Sequence, residues 1–139
     1  MTRREAREQA FMLIFEKSFH DLPIEEIIEQ ATEDRDIQVE AFAHTLVCGV
    51  VEHQQAVDAL IGENLKNWKM DRLSRVVLAI LRMSVYEMLH LQEIPVSVTI
   101  NEAVEIAKKY ATQEDAGFIN GILGAIADKE EQKAKEAVQ

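Results

Sequence analysis

Residues 72–91 read RLSRVVLAILRMSVYEMLHL, and wound at helical spacing the segment is apolar on nearly every side. A half-buried strand alternates and a surface helix keeps one polar face; this segment does neither. A helix that is hydrophobic all round lies in the middle of a bundle, with partners on several sides. The rest of the chain has to supply those partners.

It does so with further helical patterns. Residues 3–19 carry Phe11, Ile14, Phe15 and Phe19 at helical spacing. DLP at 21–23 breaks the chain, because Leu22, preceding Pro23, is pushed away from helical angles. PIEEIIEQATED is a short amphipathic helix with proline in its first turn and glutamates early, where a helix N-terminus favours anions. DRDIQ reads as a loop. A long, mostly apolar helix follows from about Val39 to Asn64, and KNWKM interrupts it. Asp71 stands where it would cap the central helix, which ends near His90. QEIPVSV is a connection. Two capping boxes come next: Thr99 three residues before Glu102 in TINE, and Thr112 three before Asp115 in TQED.

No segment alternates with period two and no internal repeat occurs. The 139 residues make one ordinary domain, and the low aromatic share of 6% and two prolines argue against an all-β sandwich. The expected fold is all-α: a compact bundle of about six or seven helices over residues 1–130. Two small subdomains, 1–64 and 65–130, divide it near residue 65. The charged stretch 131–139 is a solvated helix end or a disordered tail.

The single cysteine, Cys48, lies in the apolar run AFAHTLVCGVV and reads as a small buried hydrophobe in a reducing compartment. No stretch combines a charged start, an apolar core and a small-residue cleavage site. The longest uncharged apolar run falls short of the roughly 18 residues that a membrane span needs. A cytoplasmic protein without a membrane partner is expected. His20, His44, His53 and His90 lack metal-ligand spacing, and neither a Gly-rich phosphate loop nor a Gly-x-Ser-x-Gly elbow is present. The chain therefore reads as a non-enzyme with neither metal nor cofactor.

Charge is the informative feature. The formal net charge is −10, yet the chain opens MTRREAREQA, with three arginines in its first seven residues. Residues 21–40 hold eight acids and only Arg35, whereas residues 65–110 hold seven Lys/Arg against five acids. The charges are sorted along the chain, so a local basic surface exists despite the acidic total.

At about 100° per residue, with Phe11 as origin, Phe15 falls at about 40°, Ile14 at about −60°, Arg4 at about 20°, Arg7 at about −40° and Arg3 at about −80°. The arginines continue the apolar stripe beyond the core, and Glu5 and Glu8 lie on the flank. Cations in a first turn oppose the helix dipole by a few tenths of a kcal/mol each. A phosphate bound there would satisfy dipole and arginines together. Two readings stand: a frayed end with solvated charges, or a phosphate-binding start. Arg72, Arg75 and Arg82 form a second basic set, with Arg82, flanked by apolar residues, expected in a structural ion pair. Gly117, Gly121 and Gly124 fall nearly on one face of the last helix. Each costs up to about 1 kcal/mol relative to alanine, which suggests close approach of another backbone or of a ligand. Phe118 among them is core or stacks on a base.

RREAREQA at the start, RVVLAILRMSVYEM in the middle, PVSVTINEAVEIAKKY after it and FINGIL near the end resemble the NusB family of bacterial transcription antitermination factors, in order and spacing from residue 3 to about 127. The resemblance implies an all-α fold of two helical subdomains. It also implies binding to boxA RNA of nascent ribosomal transcripts together with NusE, a small-subunit ribosomal protein. Other Nus factors and RNA polymerase are then indirect partners, and the complex resists termination. The family's arginine-rich motif maps onto Arg3, Arg4 and Arg7, and its RNA-facing second-half surface onto Glu114, Phe118 and Asn120. Three departures accompany this. Phe15 stands where many members have tyrosine, Gly117 where many have lysine, and Val77 and Leu78 follow RV where many have a charged residue. Some members form homodimers that bury the RNA-binding region, so a homodimeric interaction protein is the alternative. A second alternative, the RNA-binding appendage of an RNA methyltransferase, is disfavoured because 139 residues leave no room for a methyl-donor domain.

Overall fold

The computed structural model describes residues 1–66 and 69–138. Asn67 and Trp68, inside the expected interruption KNWKM, and Gln139 lie outside the described residues. Among the described residues there are six α-helices and no strand. They are α1 (Arg3–Lys17), α2 (Ile24–Arg35), α3 (Ala41–Glu63), α4 (Arg75–His90), α5 (Val96–Tyr110) and α6 (Gln113–Val138), with a 3-10 turn over Met70–Arg72.

The all-round apolar segment is the axis of the bundle. α4 packs against α1, α3, α5 and α6, and its Ile80, Leu81, Met83 and Val85 are buried. One contiguous core runs from Phe11 and Ile14 of α1 through Leu46 and Val50 of α3 to Leu123 and Ile126 of α6. Arg7 meets Glu87 near the end of α4, and the Ser18 carbonyl accepts from Arg75 at its start, so α1 and α4 are antiparallel. Arg4 meets Glu102 and Glu8 meets Lys109, so α5 runs parallel to α1.

Local chemistry sets the helix ends. Thr2 and Glu5 close a capping box at α1: the Glu5 amide donates to Thr2 Oγ1 at 3.1 Å and the Thr2 amide donates to Glu5 Oε1 at 3.0 Å. The T-x-x-E signature of 2–5 thus offsets the basic first turn without any ligand. α2 opens after Pro23 and ends at Asp36 in the left-handed region, φ 51°. Thr112 and Asp115 close the expected box at α6, at 3.0 and 3.3 Å.

Several expectations change. Asp71 sits in the 3-10 turn, and the cap of α4 is Ser74, whose Oγ accepts from the Val77 amide at 3.1 Å. A cap serves only the N–H groups of the turn it precedes, and Asp71 lies too far upstream. The TINE box is not an N-terminus either. α5 already opens at Val96 behind Pro95, so the VSV of the expected connection is helical and Thr99 is a buried residue of the helix interior. Proline at the helix mouth outweighs the later Thr-x-x-Glu pattern. The helix from Val39 to Asn64 is kinked at His53 (φ −108°, ψ 15°). Among the described residues no atom outside α6's own turns lies within 4 Å of a Cβ built at Gly117, Gly121 or Gly124, so none of their backbones approaches them. The close approach is at Gly49, where a Cβ would enter the Tyr86 ring. The charged segment 131–138, read as a helix end or a disordered tail, is the exposed end of α6.

Candidate nucleic-acid interface

The three arginines of α1 have three different fates. Arg7 is only 4% exposed and does not face solvent. Its Nε donates to Glu87 Oε2 at 3.1 Å and its Nη2 to Glu87 Oε1, a fork across two helices. Glu87 is 1% exposed, so the pair is part of the core. A buried charge needs such a partner, which removes Arg7 from the set able to meet a ligand in the folded protein.

Arg4 is half exposed, at 51% of its side chain, and makes a bidentate pair with Glu102 of α5 at 2.8 and 3.1 Å. The hydrogen bond from Arg4 lowers the Glu102 carboxyl below its ordinary range against the opposing effect of burial. Solvent screens an exposed pair of this kind, so the Arg4 guanidinium stays open to a competing anion.

Arg3 is exposed, and among the described residues no carboxylate pairs with it. Its guanidinium carbon lies 4.0 Å from the centroid of the Phe42 ring. Arg7 reaches the same ring at 5.3 Å.

Of the second-half residues, Phe118 and Glu114 come together elsewhere and Asn120 stays outside their pocket. Phe118 is half-buried, packed on the edge of the core, and its remaining face lines an open pocket of about 280 Å³ with Arg72, Leu73, Ser74, Val77, Glu114 and Asp115. Its role is therefore shared between core and surface. Glu114 is exposed at the start of α6, and Asn120 is exposed, one residue from Gly121 on the bare face of the helix. Arg72 enters this pocket too; its place in the basic set 72, 75 and 82 was the signal for it. Of that set, Arg82 forms the expected structural pair, bidentate to Asp58 of α3 at 2.8 and 2.9 Å, and Arg75 lies 4.4 Å over the Phe19 ring.

The two groups do not form one site. Phe118 lies beside Val77 and Arg7 beside Glu87, and those α4 positions are about 15 Å apart at 1.5 Å per residue. A ligand touching both groups has to span about 15 Å along α4.

Burial pushes the Cys48 thiol above its ordinary range, which disfavours the thiolate, and its Sγ lies 3.7 Å from the His44 ring nitrogens. Among the described residues no three His, Cys, Asp or Glu side chains group as metal ligands, and no helix is long and apolar enough to cross a membrane.

Known proteins share this architecture. A sequence model described as the NusB family matches residues 4–128, from α1 into α6. The transcription antitermination protein NusB of Exiguobacterium sp. is 44% identical over 126 residues, which cover 91% of this chain and 97% of that protein. The NusB of Bacillus subtilis is 41% identical over 132 residues, 95% and 99% of the two chains. A solved structure of the antitermination factors NusB and NusE in complex with dsRNA superposes with a TM-score of 0.81 at 28% identity, covering 91% of this chain and 96% of the other.

Proposed function

The chain belongs to the NusB family, and from that premise we propose that it is an RNA-binding transcription antitermination factor that recognises boxA-type RNA together with NusE. The likeness over nearly the full length of both chains to a NusB solved with NusE and RNA carries this reading. Other Nus factors and RNA polymerase are its indirect partners. The protein is an adaptor of the bacterial cytoplasm and performs no catalysis.

Arg3 and Arg4 supply phosphate affinity, which depends on salt and carries little sequence information. Sequence is read at the other end of α4. The pocket beside Phe118 has an aromatic face for an unstacked base, and Glu114, Asp115 and Arg72 present acceptors and donors to its edge. Asn120 stands outside that pocket, on another side of α6, and is a separate contact in this reading. With a net charge of −10 the free chain repels a polyanion, so NusE adds the basic surface that raises affinity.

The test is binding of a short boxA RNA across a salt series, with and without NusE. Tighter binding with NusE is expected. Replacing Arg3 and Arg4 by alanine should weaken binding and flatten the log–log salt slope by about 0.7 for each single-strand phosphate that is no longer neutralised. Equal affinity with and without NusE, or an unchanged slope in the variant, would overturn the reading.

A further inference from the structure

We infer that Phe42 is a positioning residue for RNA binding: it holds the Arg3 guanidinium in place, so that α1 presents an ordered phosphate donor instead of a swinging charge. The inference rests on the functional reading above and assigns a role to a largely buried residue of α3.

The arrangement is built from the inside outward. Gln9 of α1 grips the chain leading into α3 from both sides: its Nε2 donates to the Gln38 carbonyl at 3.0 Å, and its Oε1 accepts from the Glu40 amide at 2.9 Å. Glu40 then caps α3, accepting from the Phe42 amide at 2.8 Å. These bonds fix the first turn of α3 against α1. Phe42 is 9% exposed, and Arg7, itself locked to Glu87, lies 5.3 Å from its ring. The ring is thus immobilised before Arg3 meets it. Arg3 stacks on it at 4.0 Å, within the range where a guanidinium is attracted to an aromatic face.

A stacked guanidinium gives up a face and keeps its edge, and its five N–H donors lie in the edge. Arg7 spends its fork on the buried Glu87, and Arg4 gives its Nε and one Nη to Glu102. Arg3 spends none on a carboxylate among the described residues, so the exposed guanidinium keeps its donors available while the ring holds it. Rotamer freedom given up on folding does not have to be given up again on binding, and that is the source of the expected gain in affinity.

A double-mutant cycle over Phe42 and Arg3 tests this, reading affinity for a boxA RNA oligonucleotide with NusE present across a salt series. Arg3→Ala should weaken binding and flatten the slope by about 0.7. Phe42→Leu, which keeps an apolar side chain and removes the ring, should weaken binding about threefold to fivefold while Arg3 is present and leave it unchanged in the Arg3→Ala background. Phe42→Tyr keeps the ring face and should restore wild-type binding. Arg3→Lys leaves the core untouched and keeps the charge without the planar fork, and should bind several-fold more weakly than wild type; wild-type affinity for Arg3→Lys overturns the proposal even if Phe42→Leu does not fold. Equal losses from Phe42→Leu in both backgrounds mark a structural role and overturn the positioning alone. A chain that binds no boxA RNA in any form overturns the functional reading, and this proposal with it.

Discussion

Arg7 of α1 and Glu87 of α4 form a forked ion pair 80 positions apart in sequence, with both side chains out of contact with water. Removing one partner strands the other charge in the core. Arg7→Ala should therefore cost about 3–5 kcal/mol in urea unfolding, whereas an apolar pair such as Arg7→Met with Glu87→Leu should be close to neutral. RNA binding lost in Arg7→Ala should follow the unfolded fraction and return in the double variant. A fully folded Arg7→Ala that fails to bind RNA would show that Arg7 serves the ligand, by direct contact or through the Phe42 ring that it abuts.

The glycines invert the ordinary rule. Glycine inside a helix costs up to about 1 kcal/mol relative to alanine, so Gly117→Ala and Gly121→Ala, with open space around the new methyl group, should stabilise by several tenths of a kcal/mol or more. Gly49→Ala should destabilise by about 1–3 kcal/mol, because the methyl enters the Tyr86 ring and forces α3 and α4 apart. Thermal unfolding of the three variants decides it; a stabilised Gly49→Ala would mean that Tyr86 swings aside freely.

These positions also show how much of the molecule was legible. The all-round apolarity of 72–91 placed α4 at the centre, and Thr112 with Asp115 marked the start of α6, because both signals are local and nothing nearby competes with them. Thr99 with Glu102 carries the same local signature and misleads, since Pro95 opens the helix earlier and Glu102 turns to Arg4. The glycine stripe gave the cost of each glycine but not the space around it, which is a property of the neighbours. The line of arginines on one side of α1 was visible; which of them is buried depends on Glu87 and Phe42, residues that spacing along α1 cannot reach.

His53, at the kink of α3, stacks on His90 of α4 with ring centroids 4.2 Å apart, and His90 also stacks on Tyr86 at 4.9 Å. Partial desolvation and then the neighbouring His53 hold the exposed His90 below its ordinary range, with Glu52 opposing and the Tyr86 ring on its other side. A depressed histidine is neutral in the fold while the unfolded chain takes up its proton. This contribution is thus complete above the ordinary value of 6.5 and is lost as pH falls below it. Urea midpoints should fall from pH 7.5 to about 5.5, and less so in His90→Gln. The same fall in both proteins would place the pH dependence elsewhere.

Thr99 presents the plainest misfit between side chain and site. Its hydroxyl is buried inside α5 and makes no hydrogen bond among the described residues. A buried hydroxyl without a partner costs about 1–3 kcal/mol of desolvation, and valine has nearly the same shape with no polar atom to desolvate. Valine's lower freedom in a helix is no new cost, because threonine is β-branched as well. Thr99→Val should therefore raise the unfolding free energy by about 1 kcal/mol and the melting temperature by a few degrees. Unchanged or reduced stability would mean that the Thr99 hydroxyl is satisfied in solution, by the backbone one turn earlier or by a water.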